Sequence, residues 1–235
     1  MERRQPRPGA TVHASPPDWH RGLVIRSAII ETVLRVGLTG GLASGKSFIG
    51  RALESLGCHV IRMDELGRQA LDPASVAYFQ VLAEFQAEVA LLNPDGSINR
   101  RALGAYVFAD VDRLARLNAI VHPAARAEEQ ALANAYFAQN PHGIVVTEAA
   151  ILIETGRYVD YDRLIVAVCR PEQQLKRAIE RGGLGWEEAS QRMSRQFSLE
   201  EKRKYAHFVI DTSGSEEQTL TQAHSVYQSL LSLNR

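Results

Sequence analysis

The residues best placed to do chemistry form one run, Gly40-Gly41-Leu42-Ala43-Ser44-Gly45-Lys46-Ser47, which fits G-x-x-x-x-G-K-[ST] at every fixed position. Each residue type answers a physical need. Glycines let the backbone wrap around phosphate oxygens so that successive N–H groups point inward. A helix opening at the end of the loop adds the positive end of its dipole. Lys46 brings a point charge to the β- and γ-phosphates of a nucleotide, and Ser47 offers a hydroxyl ligand to Mg²⁺. Gly41, Ala43, Ser44, Gly45 and Phe48 complete the expected nucleotide-binding run. A glycine-rich turn that carries lysine by chance is the alternative, but the strand before the loop and the helix after it are both in place.

Such a loop specifies a nucleoside triphosphate, not a reaction. A GTPase would carry an [NT]KxD motif, and none is present; DELG (64–67) and DTSG (211–214) match D-x-x-G, a pattern too short to discriminate. No LSGGQ-like segment points to a transporter ATPase. A small-molecule kinase needs three further parts: an acceptor-side base, a cationic lid and an acceptor pocket. Asp64 follows the second strand-like run directly, on the side of the sheet that carries the loop. A carboxylate there can take the proton of an acceptor hydroxyl. It can equally be a helix N-cap, and spacing alone leaves both readings open.

The elements that must position these residues alternate. VLRVGLT (33–39) reads as a buried strand, and Ile49, Ala52, Leu53 and Leu56 mark one face of the helix that follows. Further strands are expected at His59–Met63, Gly143–Ala149, Arg163–Cys169 and Phe208–Ile210. Pro171 and the SLEE run (198–201), with Glu201 at capping-box spacing, look like helix starts. The expected fold is therefore α/β: a P-loop NTPase with a parallel five-stranded sheet flanked by helices. Core segments are expected at 33–64, 143–169 and 206–235. A helical acceptor-binding insertion spans 65–142 and stands over the carboxyl end of the sheet, and a lid spans 170–205.

Composition sets bounds on this reading. The 235 residues hold 27 basic and 27 acidic side chains, so no global basic footprint exists for a nucleic-acid partner. No apolar run approaches the ~20 residues of a membrane-spanning helix, so no membrane partner is expected. Cys58 and Cys169 have no CxxC spacing and read as small buried hydrophobes in a reducing, cytoplasmic compartment. Residues 1–32 have no hydrophobic period and are rich in arginine and proline, as a disordered leader would be. A transit peptide and an over-extended reading frame remain open alternatives.

In order and spacing, GLTGGLASGKS, VIRMDELGRQ, DGSINRRAL…VF, LNAIVHP, VVTEAAILIE, the QxxRxxxR run and FVIDTSGS resemble the dephospho-coenzyme A kinases. The resemblance covers the chain from Leu34 to the C-terminus. It implies transfer of the γ-phosphoryl group of Mg·ATP to the ribose 3′-hydroxyl of dephospho-CoA, with ATP and dephospho-CoA as partners. It puts Asp64 on the family's catalytic aspartate, beside the catalytic Lys46. It puts His122 in the acceptor site, where the residue-level alternative is a helix start before Pro123. Arg68 and Glu154 become expected acceptor contacts, and Arg177 and Arg181 lid residues, with Arg181 also on the nucleotide. Gly182, Gly183 and Gly185 would be the lid's hinge. The chain departs from the family pattern at Arg62, Ala43, Phe48, Glu148, Ala150 and Gly182, which puts the surroundings of the metal in doubt at Arg62 and Glu148. Two rivals remain: a kinase for another small hydroxyl acceptor, and a nucleotide-sensing regulator that transfers nothing. The oligomeric state is not legible in the sequence.

Overall fold

Short β-branched runs with no polar interruption form strands only where both faces of a sheet are covered. Five such runs pair in parallel here, in the order β2-β3-β1-β4-β5. They are β1 (Leu34–Gly40), β2 (His59–Arg62), β3 (Ile144–Glu148), β4 (Arg163–Val168) and β5 (Phe208–Asp211). The computed structural model describes residues 33–183 and 185–234, and the side chain of Arg181 lies outside that description. The expected leader, residues 1–32, also lies outside the described residues.

Each of the five expected strands forms, with ends within a residue of the sequence reading. β1 is central, its Val36 facing Val146 of β3 and Arg163 of β4. The helix after the loop, α1 (Lys46–Ser55), and the last helix, α9 (Glu216–Leu233), cover one face of the sheet. Ile49 and Leu53 meet Ala223, Val226 and Leu230 there, over Val36, Val146 and Ile165. α9 opens on a full capping box between Ser215 and Gln218. At Ser198 the box is half realised. Its hydroxyl accepts from the Glu201 N–H, while the Glu201 carboxylate pairs with Lys204.

Four helices stand between β2 and β3: α2 (Met63–Gln69), α3 (Val76–Phe85), α4 (Arg100–Phe108) and α5 (Val111–Gln139). Tyr78, Val81, Phe85, Leu103 and Val107 give them a core of their own. α5 is 29 residues long, about 43 Å at 1.5 Å per residue, so it reaches beyond this cluster. Its second half lays Ala133 and Phe137 against Ile61 and Val145 of the sheet, and Tyr136 stacks on His59 with ring centroids 4.5 Å apart. One helix thus carries side chains for the insertion and for the sheet. Pro123 lies inside it, so His122 is not a helix-start residue. The ring removes the N–H that would bond the Ala119 carbonyl, so the helix lacks one of its backbone bonds where it passes the site.

After β4 come α6 (Pro171–Gly182), α7 (Trp186–Ser194) and the short α8 (Leu199–Arg203), which returns the chain to β5. α6 starts at Pro171, as expected. It ends before Gly183, whose φ of 62° is left-handed and favours glycine.

Candidate active site

The loop between β1 and α1 lies at the carboxyl edge of the central strand, where such sheets bind ligands. α1 opens without a side-chain cap and with no acidic residue in its first turn, which leaves its positive end for an anion. Gly45 has φ 89°, and a Cβ there would sit 2.9 Å from Thr212 Cγ2. Gly41 is crowded likewise, since a Cβ would fall 2.1 Å from Gln174 Nε2 at the root of α6. Ala43, where the family more often has glycine, adopts φ 54° and bears a strain of about 1 kcal/mol.

The half-buried Lys46 reaches back over the loop, its Nζ donating to the carbonyls of Gly40 (3.3 Å) and Gly41 (2.8 Å). Burial is the largest influence on its ammonium and lowers its pKa to about 8. Glu148 opposes this, while Lys202 adds to it. A bound triphosphate stabilises the ammonium, so binding takes up a proton when the free lysine is neutral. ATP affinity is therefore expected to fall by up to about tenfold per pH unit as pH rises above about 8, and to be flat below that. Calorimetric titration with ATP across this range checks it, and unchanged affinity at high pH would contradict it.

The Ser47 hydroxyl donates to Glu148 Oε1 at 2.6 Å. Glu148 is buried, and its Oε2 has no hydrogen-bond partner; the Arg62 Nε stands 3.9 Å away, with the same guanidinium committed to Glu54 at 2.7 Å. An orphaned buried carboxylate oxygen beside a serine hydroxyl is a donor set that suits a hard divalent cation. Among the described residues no group of three or more acids, histidines or cysteines could hold a metal by itself. Mg²⁺ needs no such group, because phosphates supply much of its shell.

Asp64 sits in the first turn of α2, yet it is not the cap. The N-cap position is Arg62, and no side chain caps this helix. The Asp64 carboxylate is exposed and makes no hydrogen bond or ion pair with the described residues, while lying close enough to Lys46 to raise its pKa. It opens onto a cavity of about 570 Å³ between α2, α5 and the segment after β3. Arg68 and His122, both expected on the acceptor, line this cavity too. So do Arg126 and Arg157, which the sequence reading missed. Loss of water against the cavity wall is the largest influence that lowers the His122 pKa, followed by Arg157 and Arg126, so its ring is neutral at pH 7. Arg126 lies one helical turn beyond His122, a spacing that could have revealed it.

Other expected residues fall elsewhere. Glu154 does not line the cavity. Its Oε1 accepts from Lys202 Nζ and from the Phe197 N–H, both at 2.9 Å. Lys202 is fully buried and also donates to the carbonyls of Ala150 (2.6 Å) and Gly40 (3.4 Å), so it joins the root of α8 to the loop that carries Lys46. Nothing in the charged run around it marks it as a core residue. Arg177 donates to Thr212 Oγ1 (2.9 Å) and O (2.7 Å), and Thr212 Oγ1 in turn donates to the Ser44 carbonyl. It therefore clamps α6 to the nucleotide loop. Arg181 lies in the last turn of α6. A second cleft of about 790 Å³, lined by Arg170, Gln174, Phe197, Leu199 and Ser213, opens beside the loop on this side.

Comparison with known proteins shows the family. A family model described as dephospho-CoA kinase matches residues 34–218. The chain is 41% identical over 203 residues to the dephospho-CoA kinase of Geobacter metallireducens, covering 86% of this chain and 99% of that protein. It is 37% identical to a dephospho-CoA kinase domain-containing protein of Danio rerio, with 83% of this chain and 84% of the relative covered. Among solved structures, TT1252 from Thermus thermophilus superposes with a TM-score of 0.71 at 29% identity, covering 84% of this chain and 97% of that one. The dephospho-CoA kinase of Campylobacter jejuni gives 0.59 at 25% identity, over 85% and 98% of the two chains.

Proposed function

Because this chain belongs to the dephospho-CoA kinase family, we propose that Asp64 is the base for the phosphorylation of dephospho-CoA that defines the family. The enzyme is a P-loop kinase that makes coenzyme A from dephospho-CoA and ATP. The observation that carries the residue assignment is the Asp64 carboxylate, which has no hydrogen-bond or ion-pair partner among the described residues and lies between the Lys46 loop and a separate cavity.

ATP lies with its phosphates along loop 40–47, held by the first-turn N–H groups of α1 and by Lys46. The cleft between α6 and α8 takes the nucleoside end. Ser47 and Glu148 would hold Mg²⁺, which when bound neutralises charge on the β- and γ-phosphates. The acceptor's ribose enters the cavity of α2 and α5, with neutral His122 able to donate to it or accept from it. Asp64 accepts the proton of the 3′-hydroxyl as that oxygen attacks the γ-phosphorus in line. Arg68 is an acceptor contact, and Arg181, at the end of the α6 that Arg177 anchors, serves the transferring group as α7 closes at the glycines between the two helices. Segments 33–64, 143–169 and 206–235 serve as the catalytic core, 65–142 as the acceptor part and 170–205 as the lid. No helix among the described residues is long and apolar enough to cross a membrane, and two buried free thiols suit a reducing cytoplasm.

The test is to incubate the protein with Mg·ATP and a panel of nucleoside, sugar and nucleotide acceptors, and to read products by mass. Coenzyme A should form in preference to every other product. A preferred product from another acceptor, or ATP binding without any product, would overturn the assignment.

A further inference from the structure

The cavity that Asp64 opens onto has an uneven charge. Arg68, Arg126 and Arg157 line it against the single acid Asp64, while most of the remaining wall is apolar. Arg126 and Arg157 also line an adjoining cleft of about 430 Å³, whose other polar members are Arg35, Glu129, Gln130 and Asp160. The two arginines therefore form the border between an apolar cavity and a polar one.

Arg157 is held stiffly at this border. Its Nη2 donates to Glu129 Oε2 (3.1 Å) and to the Tyr161 hydroxyl (3.4 Å), and its Nε to Asp160 Oδ2 (3.2 Å). Glu129 does not need it for neutrality. That buried carboxylate already has Arg35 on Oε1 at 2.8 Å and accepts there from Thr147 Oγ1 at 2.9 Å. Arg126 reaches the same Asp160 at 3.8 Å from an exposed position. Arg35, Arg126 and Arg157 thus share two carboxylates, and the surplus positive charge faces the cavity. Arg157 is held by the buried part of this network, whereas Arg126 is exposed and only loosely paired, which leaves its charge open to a ligand on the cavity wall.

We infer that Arg126 and Arg157 form the subsite for the diphosphate of the acceptor, with Glu129 and Asp160 fixing the Arg157 fork. The reading rests on the proposed function, since it takes the acceptor to be dephospho-CoA. That molecule carries its negative charge in the middle, between an adenosine and a long neutral arm. A cationic border between two cavities matches that distribution. α5 supplies a length: Asn118, His122 and Arg126 all line the cavity, and from the first to the last the helix advances about 12 Å, comparable with a nucleoside. Planar guanidinium groups suit adjacent phosphate oxygens better than ammonium groups do. Neither residue is needed on the nucleotide side, because neither lines the cleft beside the loop.

The experiment compares wild type with Arg157→Met and Arg126→Met. Arg157→Met removes a partner of buried Glu129 and can cost stability, whereas Arg126 is exposed and its variant folds without that penalty. KM for dephospho-CoA should rise about 10- to 100-fold in each, with kcat within about threefold and KM for ATP unchanged. Calorimetric binding of a dephospho-CoA analogue with an uncharged linker in place of the diphosphate should be the same in wild type and Arg126→Met. An unchanged KM for dephospho-CoA in Arg126→Met, or equal weakening of the charged and uncharged ligands, would overturn the subsite. If wild type forms no coenzyme A at all, the functional reading fails and the subsite falls with it.

Discussion

Asp64→Asn is expected to lower kcat by about 10³-fold while leaving ATP affinity unchanged. The substitution keeps the size and the first-turn position of the side chain, and Asp64 caps nothing and bonds to no described residue, so folding has little to lose. On the proposed base role, what disappears is the proton acceptor for the attacking hydroxyl. Phosphoryl transfer relies mostly on positioning and charge, so activity should fall steeply without vanishing. Steady-state kinetics with calorimetric ATP binding separates the two effects. Near-normal turnover in Asp64→Asn would remove the base from the mechanism.

Lys46→Met should act on both steps. Loss of a charged contact to the phosphates is expected to weaken ATP binding about 10- to 100-fold, and loss of charge stabilisation in transfer to cost about 10³-fold or more in kcat. Fold stability should hold or rise, because the wild-type ammonium is desolvated enough that burial brings its pKa to about 8. Thermal unfolding without nucleotide checks that. A large drop in stability would mean that Lys46 serves the fold of the loop through its bonds to Gly40 and Gly41 more than it serves the nucleotide.

The parts that chain-local chemistry dictates were legible beforehand. Eight consecutive residues fix the phosphate loop, and a β-branched run before it with an i, i+3, i+4, i+7 face after it fixes the strand and helix around it. Asp64 was legible as a candidate because it follows a strand, and the structure removes the cap alternative by putting Arg62 at the N-cap, while the base role is the proposal made above. Long-range partners were not legible. Lys202 lies 162 residues from Gly40 and reads as part of a solvated charged run, yet it is buried under the loop. Glu154 carries the same lesson, since its ion pair with Lys202 needs the return of α8 to the sheet. Arg157 becomes visible only when α5 brings Glu129 to it, 28 residues away. The surroundings of Glu148 were not legible either, because its neighbours Ser47 and Arg62 come from two other elements.

The central claim is that this chain moves the γ-phosphoryl group of ATP to one ribose hydroxyl, with Asp64 as base. Phosphorus NMR of a reaction with Mg·ATP and dephospho-CoA reads this directly. A new phosphomonoester coupled to the ribose 3′ position should appear with wild type, matched by ADP, and should be slowed about 10³-fold with Asp64→Asn. A phosphoryl group on any other oxygen, or ADP formed without it, would contradict the account.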